Sequence, residues 1–165
     1  MIDNLNIKRA LNTWIGTPYL HQASIKGVGC DCLGLIRGVW REVYGFEPEI
    51  APPYAADWAE VRRDDPLLAA ARRYFIEKPL ADFGAPDLIL FRWREGMPAK
   101  HCAILTSNTT MIHAHDGACV AEVSFRPWWQ RHMVGCFAFP EIPHNEEYNP
   151  KLSAQIEKFP CGNHT

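Results

Sequence analysis

The chain has 165 residues, 17 of them Lys or Arg and 19 Asp or Glu, for a net charge of −2 and a pI near 6.4. That length fits one domain with a real core, and that charge leaves no broad basic surface of the kind that grips nucleic acid. No apolar run approaches the ~20 residues of a membrane span, and Met1 to Ala10 is polar, so the expectation is a chain made and folded in the cytoplasm without a signal peptide.

Ile7, Leu11, Trp14 and Ile15 recur with helical spacing and predict a first helix that ends at Gly16, with Pro18 enforcing the stop. Gln22 to Gly29 reads as a loop. Asp31 is a good N-cap, and Leu35, Ile36, Val39, Trp40 and Val43 then repeat with helical period until Tyr44-Gly45, where a glycine can close the helix. Cys32 therefore falls in a first helical turn. Gly34 and Gly38 cost that helix about 1 kcal/mol each relative to alanine, which predicts a close approach to the sheet. Between Phe46 and Phe83 a proline-rich piece, Pro48 to Pro53, precedes a helix through Pro66 to Phe75. Leu88 to Phe91, His101 to Leu105, Thr110 to His113, Val120 to Phe125 and Val134 to Phe139 read as strands, with turns at Ser107-Asn108-Thr109 and Ala114 to Gly117. Pro127 to Arg131 reads as a short helix or loop with exposed rings. From Glu141 the character turns polar, with only Leu152, Ile156 and Phe159 as anchors, so the expected organisation is a domain over 1–140 and a disordered or docking tail over 141–165.

A thiol attacks as its thiolate, so a working cysteine needs its pKa lowered by a helix N-terminus, a cation, or both. A helix dipole contributes up to about 2 kcal/mol in a sheltered site, and one pKa unit is about 1.4 kcal/mol, so the dipole alone moves Cys32 by about one unit. An imidazolium must do the rest. His101 opens one buried strand and His113 closes the next, and an antiparallel pairing sets the two rings side by side, one facing the thiol and one orienting its neighbour. Cys30 is the rival nucleophile, and His115 the rival to His113. Of the other cysteines, Cys102, Cys119 and Cys136 read as buried and inert, and Cys161 as a free surface thiol; a reducing compartment argues against disulfides. Arg62-Arg63 and Arg72-Arg73 read as solvated faces, or as patches for an anionic polymer. A zinc site from Cys30, Cys32, His101, Cys102, His113 and His115 is the competing chemistry, but the usual two-residue spacer between cysteines is missing and adjacent His101 and Cys102 point to opposite faces of a strand.

Taken together, Asp31-Cys32-Leu33-Gly34-Leu35, His101-Cys102-Ala103-Ile104, Ile112-His113-Ala114 and the upstream Gly16-Thr17-Pro18-Tyr19 resemble the NlpC/P60 family of papain-like cysteine peptidases, which cut the stem peptides of bacterial cell walls. The likeness is strongest to the phage and gene-transfer-agent tail branch and runs from about Leu5 to Pro140. It implies an α+β, papain-like fold with N-terminal helices packed on an antiparallel sheet of about five strands. It also implies Cys32 as nucleophile, His101 as base, His113 as orienter, and Tyr19 with the Cys32 amide as oxyanion donors, with no metal or organic cofactor. The implied substrate is a peptidoglycan stem peptide, most often at the D-glutamyl–diaminopimelate bond. The implied partners are tail, hub or baseplate proteins of a phage-like particle that delivers the enzyme to the periplasm or wall of a target cell, where it opens a path for DNA. Two departures are visible: Ala85-Pro86-Asp87 stands where the family writes Pro-Gly-Asp, and the segment from Phe46 to Phe83 is long. A tail-tip binding module, or an amidase or acyltransferase using the same thiol, stays open as an alternative.

Overall fold

Leu88–Phe91 and His101–Leu105 are apolar at nearly every consecutive position, which a strand tolerates only when both of its faces are covered. The computed structural model, which describes residues 3–54 and 64–141, places them side by side at the centre of a six-stranded antiparallel sheet. In chain order the strands are a short ribbon, β1 (Ser24–Ile25) and β2 (Gly29–Cys30), then β3 (Ile76–Lys78), β4 (Leu88–Phe91), β5 (His101–Leu105), β6 (Thr110–His113), β7 (Ala121–Ser124) and β8 (Met133–Ala138). The large sheet runs β3-β8-β4-β5-β6-β7. The helices are α1 (Asn4–Asn12), α2 (Cys32–Tyr44), α3 (Pro66–Tyr74) and a single turn, α4 (Pro127–Arg131).

Strand alternation divides the core into two layers. Leu88, Leu90, Cys102, Ile104 and Ile112 face α1 and α2 and pack with Ile7, Leu11, Trp14, Leu35 and Val39. Ile89, Phe91, Ala103, Leu105 and Met111 face the other way, where Phe125, Met133 and Cys136 cover them. The structure thus has the expected helices on an antiparallel sheet, with a sixth strand, β3, paired to β8 at the edge.

Several expectations are corrected. The first helix stops at Asn12; Trp14 follows it in a turn, buried, with its indole N–H donating to Glu42 at 2.9 Å. The predicted loop from Gln22 to Gly29 contains the β1–β2 ribbon. The two helix glycines do not make room for the sheet. A Cβ on Gly38 would lie 2.0 Å from the Trp14 ring, and one on Gly34 would lie 1.8 Å from the Ala23 carbonyl oxygen, so the close approaches are to the turn after α1 and to the segment before the ribbon. Cys119 is exposed, whereas Cys102 and Cys136 are buried. Arg72 and Arg73 are engaged as solvated ion pairs, with Glu77 at 3.0 Å and Glu49 at 2.7 Å. Arg62, Arg63, Cys161 and the tail from residue 142 lie outside the described residues.

Candidate active site

The nucleophile candidate is placed by a helix cap. Asp31 adopts an extended conformation and accepts the Gly34 N–H on Oδ1 at 2.7 Å, so α2 begins at Cys32. Asp31 is itself buried, and its other oxygen accepts the Gln22 N–H at 2.8 Å and the Tyr54 hydroxyl. At the far end Gly45, at φ +83°, closes the helix in the left-handed conformation with its N–H on the Arg41 carbonyl at 2.9 Å. Cys32 is half-buried where α2 meets the start of β5.

The histidines come from the β5–β6 hairpin. Its register pairs Ile104 with Ile112 and Leu105 with Met111, which puts His113 opposite Ala103 and diagonal to His101 on one face. Such diagonal neighbours stand about 7–8 Å apart in backbone terms, within reach of rings. The rings meet, His101 Nε2 lying 2.9 Å from His113 Nδ1. Burial among other rings, together with the neighbouring His101 and His115, pushes the His113 pKa down to about 3. His113 is therefore neutral at physiological pH and can offer Nδ1 as an acceptor, which sets the His101 ring with its other nitrogen toward the thiol.

The Cys32 thiol is held well below the ordinary range, chiefly through the influence of Cys102 and of the neighbouring His101, despite burial and the nearby Asp31. Cys102 is shifted the opposite way by Cys32 and keeps its proton. His101 and Cys102 leave the strand on opposite faces: Cys102 lies in the core layer against which Cys32 packs, and His101 is the first residue of β5, at the end of the sheet. Cys30 is fully buried in β2, and burial with the charges of Asp31 and Cys32 pushes its thiol up to about 12. It is far the poorer nucleophile.

Tyr19 is held between two segments: its N–H donates to the Ala118 carbonyl at 3.0 Å, and the Leu20 N–H next to it donates to Cys30 at 3.1 Å. Burial and the charges of Cys32 and Asp31 push its phenol up to about 12, so the hydroxyl stays a donor beside the thiolate. An open groove runs from Tyr19 past Pro18 to the loop of Asp116 to Cys119.

Sequence reasoning missed two parts of this region. Tyr54, from the proline-rich piece, reaches back to Asp31, and its carbonyl takes the Nε2 proton of His21 at 2.9 Å and the Gln22 side-chain amide. No local pattern marks such a contact. The second part is an aromatic wall: Trp93 stacks near His101 at 5.7 Å, Trp129 lies 5.7 Å from the same ring, and exposed Trp128 stacks on His132 at 4.1 Å. His115 is exposed, its ring 5.9 Å from His101. Among the described residues no group of three or more His, Cys, Asp or Glu is arranged to hold a metal ion.

The model of the NlpC/P60 family matches residues 16–138, a span that includes Tyr19, Cys32, His101 and His113. The chain belongs to the NlpC/P60 family. Solved NlpC/P60 structures share the fold. The NlpC/p60 domain of the peptidoglycan hydrolase SagA has a TM-score of 0.58 at 21% identity, over 84% of this chain and 100% of that one. A Staphylococcus aureus Mu50 protein described as similar to a lipoprotein of the NLP/P60 family has a TM-score of 0.56 at 22% identity over 84% of this chain, which spans 42% of its length. RipD of Mycobacterium tuberculosis, described as a non-catalytic NlpC/p60 domain protein adapted to peptidoglycan binding, has a TM-score of 0.50 at 15% identity, over 82% of this chain and 95% of its own. No curated protein sequence matches the chain. NlpC/P60 domains are usually cysteine peptidases that hydrolyse peptidoglycan, although some are non-catalytic.

Proposed function

We propose that this NlpC/P60 chain is a cysteine endopeptidase that hydrolyses peptidoglycan stem peptides. The observation that carries the reading is the buried His101–His113 pair at 2.9 Å at the end of the sheet, with Cys32 at the capped start of the helix that packs on β5. The Cys32 thiolate attacks the scissile carbonyl, and the oxyanion that forms is held by the Cys32 amide and the Tyr19 hydroxyl. His101, as imidazolium, passes its proton to the departing amine and leaves an acyl-enzyme. Neutral His101 then takes a proton from water, whose oxygen attacks the thioester and releases Cys32. His113 accepts from His101 Nε2 throughout and fixes the ring. The bond favoured is D-glutamyl–diaminopimelate. The setting favoured is the tail of a phage-like particle, where hub or baseplate proteins carry the domain to the periplasm or wall of a target cell; what supports that setting is the likeness of the motifs to the tail branch.

The test is release of new amino groups from purified peptidoglycan by the wild-type protein and by Cys32→Ala, with and without a chelator. Release that persists with chelator and vanishes in Cys32→Ala is expected. No release by the wild type overturns the reading in favour of a binding domain, and release abolished by chelator overturns the metal-free mechanism.

A further inference from the structure

The mechanism above leaves the aromatic wall beside His101 without a part. Cys32 and Tyr19 pack against the core layer that faces α1 and α2, whereas Trp129 packs against the layer on the other face of the sheet. His101 stands between them, with Trp93 stacked 5.7 Å from its ring at 23° and Trp129 at the same distance. Trp128 is the next ring out, 5.0 Å from Trp129 and 6.0 Å from Trp93. Trp93 and Trp128 are 37% and 47% exposed, and two adjoining open indoles make a contiguous apolar surface of the kind that marks a binding site. The wall is also rigid. Trp128 stacks on His132 at 4.1 Å, the His132 Nδ1–H donates to the Trp128 carbonyl at 2.7 Å, and the Arg92 N–H ties the two segments together through the His132 carbonyl at 3.0 Å. A surface fixed in advance loses little freedom when something docks on it. Its charge is local and distinctive: residues 92–97 and 126–132 hold Arg92, Arg94, Arg126 and Arg131 against the single acid Glu95, in a chain of net charge −2.

We propose that the wall of Trp93, Trp128 and Trp129, with its arginine rim, binds the leaving half of the substrate, a short peptide that begins with a diamino dicarboxylic acid such as diaminopimelate. The inference rests on the peptidase reading. In that reaction the acyl half of the substrate is bonded to Cys32, and His101 hands its proton to the departing amine. Whatever that amine carries therefore extends from His101 on the side away from the thiol, which is the side the wall occupies. The two components of the wall suit two parts of such a residue. The exposed indole faces take its side-chain methylenes and ammonium group, the ammonium through the negative face of the ring. The arginines take the side-chain carboxylate and the C-terminal carboxylate of the peptide. A lysyl residue in the same place has the chain and the ammonium but lacks the side-chain carboxylate, so it satisfies the rings and leaves part of the rim unused. A neutral saccharide ring covers an indole face and offers the arginines no charge at all.

The experiment is an NMR titration of the full-length Cys32→Ala protein, read at the tryptophan indole N–H signals, with diaminopimelyl-D-alanine, with lysyl-D-alanine and with an N-acetylglucosamine trisaccharide. The expected result is a saturable shift of the Trp93 and Trp128 signals with the diaminopimelyl dipeptide and binding about threefold weaker for the lysyl one, the value of one exposed ion pair. Adding Trp128→Ala, with binding read through Trp93, is expected to weaken the diaminopimelyl dipeptide about fivefold, as for the loss of one aromatic contact, and Trp128→Phe to recover part of that. The proposal is overturned if the dipeptide gives no saturable shift, if the lysyl dipeptide binds as tightly, if Trp128→Ala changes nothing, or if the trisaccharide binds more tightly than either dipeptide. Amino-group release from peptidoglycan by the Cys32-containing protein is measured alongside. Dipeptide binding without release leaves the binding site standing and counts against the peptidase reading, whereas release without dipeptide binding counts against the site alone.

Discussion

On one side of Cys32 stand three imidazoles, His101, His113 and His115, with ring centroids 5.1 to 5.9 Å apart, the last of them open to solvent. On the other side stand Asp31, Gln22 and Tyr54, tied to one another and to the start of α2 by hydrogen bonds. The Tyr54 phenol is held well above its ordinary range by burial and by its bond to Asp31, so it does not exchange protons near neutrality. The histidine side supplies the ring pair of the proposed mechanism; the carboxyl side fixes the start of α2 in position. The proposed peptidase needs both, because its thiolate must be made and must also be aimed.

The sharpest break of that contrast is His101→Ala, which removes the ring proposed to carry the proton between thiol, leaving amine and water. Hydrolysis of peptidoglycan is expected to fall by about 10⁴-fold, at the upper end for general acid–base catalysis, and a fall of less than tenfold means that another group carries the proton. Next, His113→Ala is expected to cost about 10²–10³-fold by letting the His101 ring turn, with His113→Gln recovering part of the loss through its side-chain acceptor. The same position predicts a pH effect. Folded His113 stays neutral down to about pH 3, while the unfolded chain protonates it near pH 6.5. Between those values the unfolded state binds more protons, so stability is fully present above about pH 6.5 and declines as pH falls toward 3. Urea unfolding measured across that range should show the slope in the wild type and a flatter one in His113→Gln.

On the positioning side, Gly34→Ala drives a Cβ to 1.8 Å from the Ala23 carbonyl and must displace the start of α2. A displacement of about 1 Å at the nucleophile is worth about 10²-fold in rate, so hydrolysis should drop by that order while the His101–His113 pair, read by NMR of the ring protons, stays intact. Disruption of the imidazole pair by this substitution erases the distinction between the two sides. The smallest effect belongs to Tyr54→Phe, which removes one hydrogen bond to Asp31. About 1–2 kcal/mol of stability and less than tenfold in rate are expected, measured by denaturant titration and by the same release assay.

The places of Cys32, His101 and His113 in their elements were legible because each sits at the end of a short local pattern: Cys32 after an N-cap, His101 before an apolar run, His113 after one. The central strands were legible as continuous apolar runs for the same reason. β3 was not, because an edge strand of three residues, Ile76-Glu77-Lys78, joins the sheet through its backbone and needs no apolar pattern. The reason for Gly34 and Gly38 was misassigned, since a missing side chain signals that something is near without saying what, and here it was Trp14 and the Ala23 carbonyl. Cys119 looked buried among apolar neighbours but lies at an isolated bridge to Pro18 with its side chain outward. Tyr54 touches Asp31 across 23 positions of sequence, and a contact of that kind leaves no trace in periodicity.

The imidazole pair lies within one hairpin, whereas Cys32 joins it from about seventy residues earlier in the chain. Local pairs close at little entropic expense and distant ones only after more of the chain has ordered. On the proposed mechanism, a nascent or partly unfolded chain therefore carries an ordinary, weakly nucleophilic thiol, and the reactive one comes into being when α2 docks on β5. Chemical potency in the proposed enzyme is then a property of the finished tertiary structure, and the rate at which Cys32 alkylates at neutral pH is expected to report when that structure is complete.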